Sequence, residues 1–311
     1  MNSFTETKPL KRPKISIGMP IYNAESFLRK RLDSLLAQTY TDFELIISDN
    51  ASTDSTPTIC EEYLKKDKRI RYICQEKNRG LTWNFNFVLQ EAKYEYFVWV
   101  AADDILLPDF LEKNINILLS KPNVVASISK IGPYGSTTTN FQPNVIDSKY
   151  RSFIKKLRKS FKSIGTYSIY GSYEEKVRFY LKKSTCKIIY GVYRTEKLRN
   201  SIIHKPFVGN DWAMILNVLK YGDFHVLDEV LMYEFEGGIS ATGIINASRH
   251  YNHGILGIIF PWYPLTFWCT KNLGIKIFLK NLDFFIRLNC EGALSLLFDL
   301  LRLLTHKMMG K

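Results

Sequence analysis

The strongest constraint on this chain's fold is an alternation that runs for about 115 residues from Lys14. Short apolar runs take turns with amphipathic segments. "KISIGMP" reads as a buried strand ended by Pro20, and "AESFLRKRLDSLLAQ" follows with Phe27/Leu28, Arg31/Leu32 and Leu35/Leu36. That spacing of roughly four residues marks an amphipathic helix. "FELIISD" is a second strand, and "DSTPTICEEYLKK" a helix with Pro57 in its first turn. "RIRYIC", "YEYFVWVA" and "NVVASIS" continue the strands, and "LTWNFNFVLQEA" and "PDFLEKNINILLSK" the helices, the last starting at its proline. Such alternation predicts an α/β fold, a mostly parallel sheet flanked by helices.

Open sheets of this kind bind ligands beyond the carboxyl ends of their strands. Polar residues stand at those ends here. Pro20, Tyr22 and Asn23 follow the first strand, Asp49 closes the second, and Asp103 and Asp104 follow the fourth. Adjacent carboxylates repel unless something positive lies between them. A divalent cation would serve, since Mg²⁺ takes one or two carboxylates and fills its shell with substrate phosphate oxygens. Capping of the next helix is the structural alternative for this pair. Asp49 can accept a hydrogen bond from a base or ribose group, while Asp54 reads as a helix cap. Asp211, in "VGNDWAMIL", starts a helix, where a carboxylate is either structural or a general base.

The remaining segments differ in character. Residues 1–13 read as a polar leader without an apolar signal core. Residues 131–170 are rich in Gly, Ser, Thr, Tyr and Lys, as in a loop or insert. "EEKVRFYLKK" and "GNDWAMILNVLKYG" predict helices, "CKIIYGVYR" a strand, and "DFHVLDEVLMYEFE" a final strand or pair. The net charge is +13, and residues 149–205 hold sixteen Lys and Arg against three Glu. A basic block of this kind suits an anionic partner or a solvated face. The five cysteines are scattered, without a C-x-x-C, which argues for reduced thiols rather than a disulfide framework or zinc site.

From about residue 246 the chain becomes an amphipathic helical extension. "GILGIIFPWYPLTFWCT" is uncharged but broken by Pro261 and Pro264, too short to span a membrane. "LGIKIFLKNLDFFIRL" and "ALSLLFDLLRLLTHK" mix apolar residues with Lys and Arg. Such helices lie in a membrane interface, or pack on their own domain or in a homodimer.

Several motifs in series, "ISIGMPIYNAESFLRKRLDSLLAQTYTDFELIISDNASTD", "NRGLTWNFNFVLQEA", "YFVWVAADDILLPDFL" and "GNDW", resemble family 2 glycosyltransferases of the GT-A (Rossmann-like) fold. The resemblance covers residues 14–128 densely and 185–240 more thinly. It implies a domain over 14–245, with a nucleotide-binding half at 14–130 and an acceptor half with a basic insert at 131–245, followed by the helical part at 246–311. It also implies an inverting transferase that uses a nucleotide-diphosphate sugar, UDP-sugar foremost, and Mn²⁺ or Mg²⁺. Pro20, Tyr22, Asn23, Asp49, Arg79 and Asp103 would bind the donor, Asp103 and Asp104 the metal, and Asp211 would be the catalytic base. Ala101 stands where many relatives place a further acid, Asn210 where many have Glu, and "YEFEGGIS" where many have basic or His residues.

The expected role is synthesis of a surface polysaccharide or glycoconjugate on a glycan or lipid-linked acceptor, in the cytoplasm at the inner face of the membrane. Its anionic partner would be lipid, with no nucleic acid. The alternatives are a non-catalytic membrane- or nucleic-acid-binding module on the same fold, and a nucleotidyltransferase. The latter calls for a Gly-rich basic loop after the first strand, which "GMPIYNAES" does not supply.

Overall fold

The computed structural model describes residues 12–134, 165–235 and 254–294. Eight strands form one mixed sheet in the order β3-β2-β1-β4-β7-β6-β8-β5. Its first four members are parallel: β1 (Ile15–Ile21), β2 (Phe43–Asp49), β3 (Ile70–Cys74) and β4 (Tyr96–Trp99). All seven residues of β1 are buried, as expected of a central strand covered on both faces. Helices α1 (Glu25–Leu36), α2 (Thr56–Lys66) and α3 (Leu81–Gln90) connect these strands. Gly18 lies where β1 passes closest to its neighbours. A Cβ there would come within 2.5 Å of the Phe97 ring and 2.8 Å of Val88, so only glycine lets β4 and α3 approach β1 this closely.

Beyond β4 the sheet becomes mixed. β6 (Val124–Tyr134) follows α4 (Phe110–Ser120) and runs parallel to β8 (Asp223–Phe235), while β7 (Val192–Arg194) is antiparallel to both β4 and β6. The predicted strand "CKIIYGVYR" is only partly one. Cys186–Tyr190 is a 3-10 turn, and Gly191 separates it from the three residues of β7. The following helices are α5 (Tyr173–Lys183), α6 (Thr195–Arg199) and α7 (Asn210–Val218). α4 begins two residues after the predicted Pro108, with Asp109 at the cap position.

β5 (Ile105–Leu106) was not expected. It pairs antiparallel with β8 at the far edge. Six residue steps from Trp99 to Ile105 reach about 20 Å only when fully extended, and four flat strand spacings are about 19 Å. A turn at Ala102–Asp103 shortens the reach. The sheet must therefore curl, and the Asp103–Asp104 loop bridges its mouth.

The C-terminal segment comprises α8 (Gly254–Ile259), α9 (Tyr263–Asn272), α10 (Ile275–Lys280) and α11 (residues 282–294). It is not a loose appendage. Leu265, Cys269, Phe278, Phe284 and Phe285 join the same buried core as the sheet. Residues 149–164 of the basic block, and 236–245 with most of "YEFEGGIS", lie outside the described residues.

Candidate active site

Asp49 lies fully buried at the end of β2, beside Ile21 of β1. Its Oδ1 accepts from the Ser52 N–H (2.9 Å) and the Ser52 hydroxyl (2.5 Å), and its Oδ2 from the Tyr72 hydroxyl (2.8 Å). Burial, then the bond to Asp49, pushes the Tyr72 phenol well above its usual range, which keeps it a donor. Asn50 organises the next loop. Its Oδ1 accepts from the Arg79 N–H at 2.9 Å, and its Nδ2 donates to Asn78 Oδ1 at 2.9 Å. Arg79 itself is exposed, with its guanidinium 4.6 Å from the Trp83 ring centroid.

Pro20 is buried in β1, whereas Tyr22 is 49% exposed at the strand's mouth. Asn23 takes a left-handed conformation (φ 48°), which Asn tolerates better than most residues. Two bonds lock it across the cleft: its N–H to Ser52 Oγ (2.8 Å), and its Oδ1 from the Thr53 N–H (2.9 Å). Asp54 accepts from the Thr56 N–H at 3.0 Å and is a local cap, as expected. The six N-terminal candidates lie at or beyond the ends of β1, β2, β3 and β4, with Arg79 five residues past Cys74 and Asp103 four residues past Trp99.

Asp103 is half-buried, and Asp104 is buried at 3% exposure. Neither caps α4. Asp104 faces a cavity of about 170 Å³ shared with Lys30 and Arg31 of α1. Arg31 is 1% exposed. A buried carboxylate is costly unless cationic charge is near, so α1 contributes positive charge to the wall that Asp104 faces. The sequence held a signal for this, because Arg31 occupies the apolar phase of its helix.

Asp211 is in the first turn of α7, after Gly209 in the left-handed region (φ 89°). A Cβ on Gly209 would meet Leu265 at 3.1 Å and Trp262 at 3.2 Å, so glycine serves both the turn and the close approach of α9. Asp211 Oδ1 accepts from the Trp212 N–H at 2.9 Å. Desolvation raises its pKa, and the Cys186 thiol opposes that by hydrogen bonding to the carboxylate. Tyr180 is fully buried beside it, its ring 5.2 Å from Trp212, and its hydroxyl has no partner among the described residues.

The 3-10 turn connects the two acidic corners. Burial raises the pKa of Tyr190 at its end, and the charges of Asp104 and Asp103 add to this. Burial likewise raises that of the Cys186 thiol at its start, with the charge of Asp211 next. Lys187 within the turn pairs with Glu234 of β8. The sequence reading missed Tyr72, Arg31, Cys186 and Tyr190, which lie beside the acids it named.

A family model described as "Glycosyl transferase family 2" matches residues 16–199, more than half of the 311 residues. The chain belongs to glycosyl transferase family 2. Glycosyltransferase GlyA of Streptococcus pneumoniae serotype 4 is 40% identical over 99 residues, 32% of this chain and 14% of that protein. An uncharacterized glycosyltransferase of Haemophilus influenzae is 38% identical over 107 residues, 34% of this chain and 43% of that one. The chain thus spans less than half the length of these relatives. Two solved structures share the fold. S. aureus TarS, in complex with UDP-GlcNAc, matches with a TM-score of 0.55 at 21% identity, over 76% of this chain and 64% of that one. Mannosyltransferase PcManGT from Pyrobaculum calidifontis, in complex with GDP-Man and Mn2+, matches with a TM-score of 0.56 at 18% identity, over 92% and 73%. The family 2 chain therefore carries the GT-A sheet expected of it.

Proposed function

We propose that this family 2 chain moves a sugar from a nucleotide-diphosphate donor, most naturally a UDP-sugar, to a hydroxyl of a glycan or lipid-linked acceptor. The observation that carries the reading is the 3-10 turn, which joins two unlike acidic corners. One, at the ends of β1, β2 and β4, holds the polar groups that suit a nucleotide; the other holds a desolvated carboxylate that suits a proton. The Asp49 corner would take the base or ribose, flanked by Pro20, Tyr22, Asn23 and Arg79. Asp211 would accept the proton of the acceptor hydroxyl as it attacks the anomeric carbon, and a single displacement inverts that centre.

Asp103 and Asp104 fit Mn²⁺ or Mg²⁺ shared with a diphosphate. Among the described residues no group of three His, Cys, Asp or Glu could form an all-protein cage, and two carboxylates suffice when phosphate oxygens complete the shell. When bound, the ion neutralises charge on the departing nucleotide. The similar folds of TarS and PcManGT, solved with UDP-GlcNAc and with GDP-Man and Mn2+, support the donor class. The setting would be surface polysaccharide synthesis at the inner face of the membrane, with the protein peripheral to it. No helix among the described residues is long and apolar enough to cross a bilayer.

The test is nucleotide release from UDP- and GDP-sugars with Mn²⁺, with and without EDTA. Release that stops on chelation supports the reading. No turnover and no thermal stabilisation by any donor would sink it, in favour of a non-catalytic module.

A further inference from the structure

The C-terminal helices are apolar on two sides. One side joins the core, as described. The other faces outward, and each helix repeats an exposed apolar residue four positions on. Leu256 lies on α8 and Phe260 one residue past its end, and Tyr263 and Phe267 lie on α9. Ile275 and Leu279 lie on α10, and Leu282, Ile286 and Leu294 on α11. Ile275, Leu279 and Ile286 are 67%, 57% and 57% exposed. Half of the twenty large apolar side chains exposed among the described residues fall between 254 and 294. Exposed apolar area this concentrated marks an interaction site.

We infer that helices α8 to α11 form an interfacial surface for an anionic lipid bilayer; its use in delivering acceptor rests on the transfer reading above. Charge selects the occupant. Lys271 and Lys276 are exposed between the apolar stripes, while Lys280 beside them is paired with Glu174, and the Lys271 ammonium lies 4.3 Å from the Phe267 ring centroid. Lysines so placed lay their stems along an apolar surface and put their heads among lipid phosphates. A contact between two copies would instead deplete charge from its centre. Between 254 and 294 four Lys and Arg stand against two Asp and Glu, which favours the same partner.

The inner side of these helices touches Asp211's own helix. Leu265 and Trp262 close over Gly209, and Trp212 stacks on Phe284 at 5.9 Å. The bilayer would therefore lie about one helix layer, roughly 10 Å, from the carboxylate. A lipid-linked acceptor could then present its hydroxyl while its tail stays in the membrane.

Flotation of the full chain with vesicles of phosphatidylcholine, alone or mixed with phosphatidylglycerol, tests this. The variant Ile275→Asp/Leu279→Asp/Ile286→Asp changes exposed positions only, so its melting temperature should match the parent. The parent should float with anionic vesicles and release them in high salt, and the variant should lose binding by about tenfold or more. The proposal is overturned if the parent ignores both vesicles, if the variant floats as well as the parent, or if light scattering shows that the variant merely splits a dimer. Donor hydrolysis in the same samples keeps the readings apart. Vesicle binding without hydrolysis keeps the surface and removes the transferase, whereas hydrolysis without vesicle binding does the reverse.

Discussion

Asp49 and Asp211 are both acids at strand or helix ends, yet the protein treats them in opposite ways. Asp49 is fully buried and receives two hydrogen bonds from Ser52 and one from Tyr72. Asp211 receives one N–H and a thiol, and desolvation still dominates. The first acid is fixed by three hydrogen bonds before any ligand arrives. The second is held at an electrostatic cost that makes it want a proton. The contrast suits the proposed roles: a binding corner can be satisfied within the fold, whereas a base must be left partly unsatisfied to act.

The largest expected effect comes from neutralising the second acid. Asp211→Asn should cut sugar transfer by about 10²- to 10⁴-fold while leaving donor binding intact. Its pKa is raised in the fold, so the protonated form is the one the fold tolerates. That stability contribution is present at low pH and lost as pH rises through the raised value. At neutral pH the permanently neutral Asn should therefore match or exceed the parent's melting temperature. A clear drop in melting temperature would show that Asp211 is structural, and the contrast would collapse.

Next in size is the Asp103–Asp104 corner. Asp103→Ala should weaken Mn²⁺-dependent donor binding about 10- to 100-fold, read by calorimetry, and EDTA should do to the parent what the substitution does. The first acid should respond in stability as well as binding. Asp49→Asn should cost about 1–3 kcal/mol in urea unfolding by leaving buried donors mismatched, and Tyr72→Phe about 1 kcal/mol. If both are neutral, Asp49 is no better held than Asp211.

The smallest effect is the most discriminating. The Cys186 thiol lowers the pKa of Asp211, so Cys186→Ala should move the acid limb of the kcat/KM profile to higher pH. Cys186→Ser, which keeps a donor, should restore it. A purely structural Cys186 would change rates without moving the limb.

The nucleotide half was legible because its signals are local. Continuous apolar runs such as "ISIGMPI" can only be buried strands, and the acids after them fall where such sheets bind. Elements set by tertiary contacts were not legible. The apolar "CKIIY" carries no period that separates a 3-10 turn from a strand, and β5 is two residues whose pairing depends on the curl of the sheet. Arg31 lay in plain view at a buried helix phase, but its opposite, Asp104, is 73 residues away. The long-range partners of Asp49 and Asp211, Tyr72 and Cys186, are separated from them by 23 and 25 residues. The tail's periodicity was legible too, but it left open whether the helices pack on their own domain, in a dimer or on a membrane.

Gly209 carries a consequence for anyone reshaping this protein. The residue that turns the chain into Asp211's helix is sealed by Leu265 and Trp262. A version cut short before Trp262 would uncover the turn that leads into Asp211, the proposed base. The last helices cannot be exchanged between relatives as a cassette, because a swapped tail must bring a side chain that fits the hollow over that one glycine.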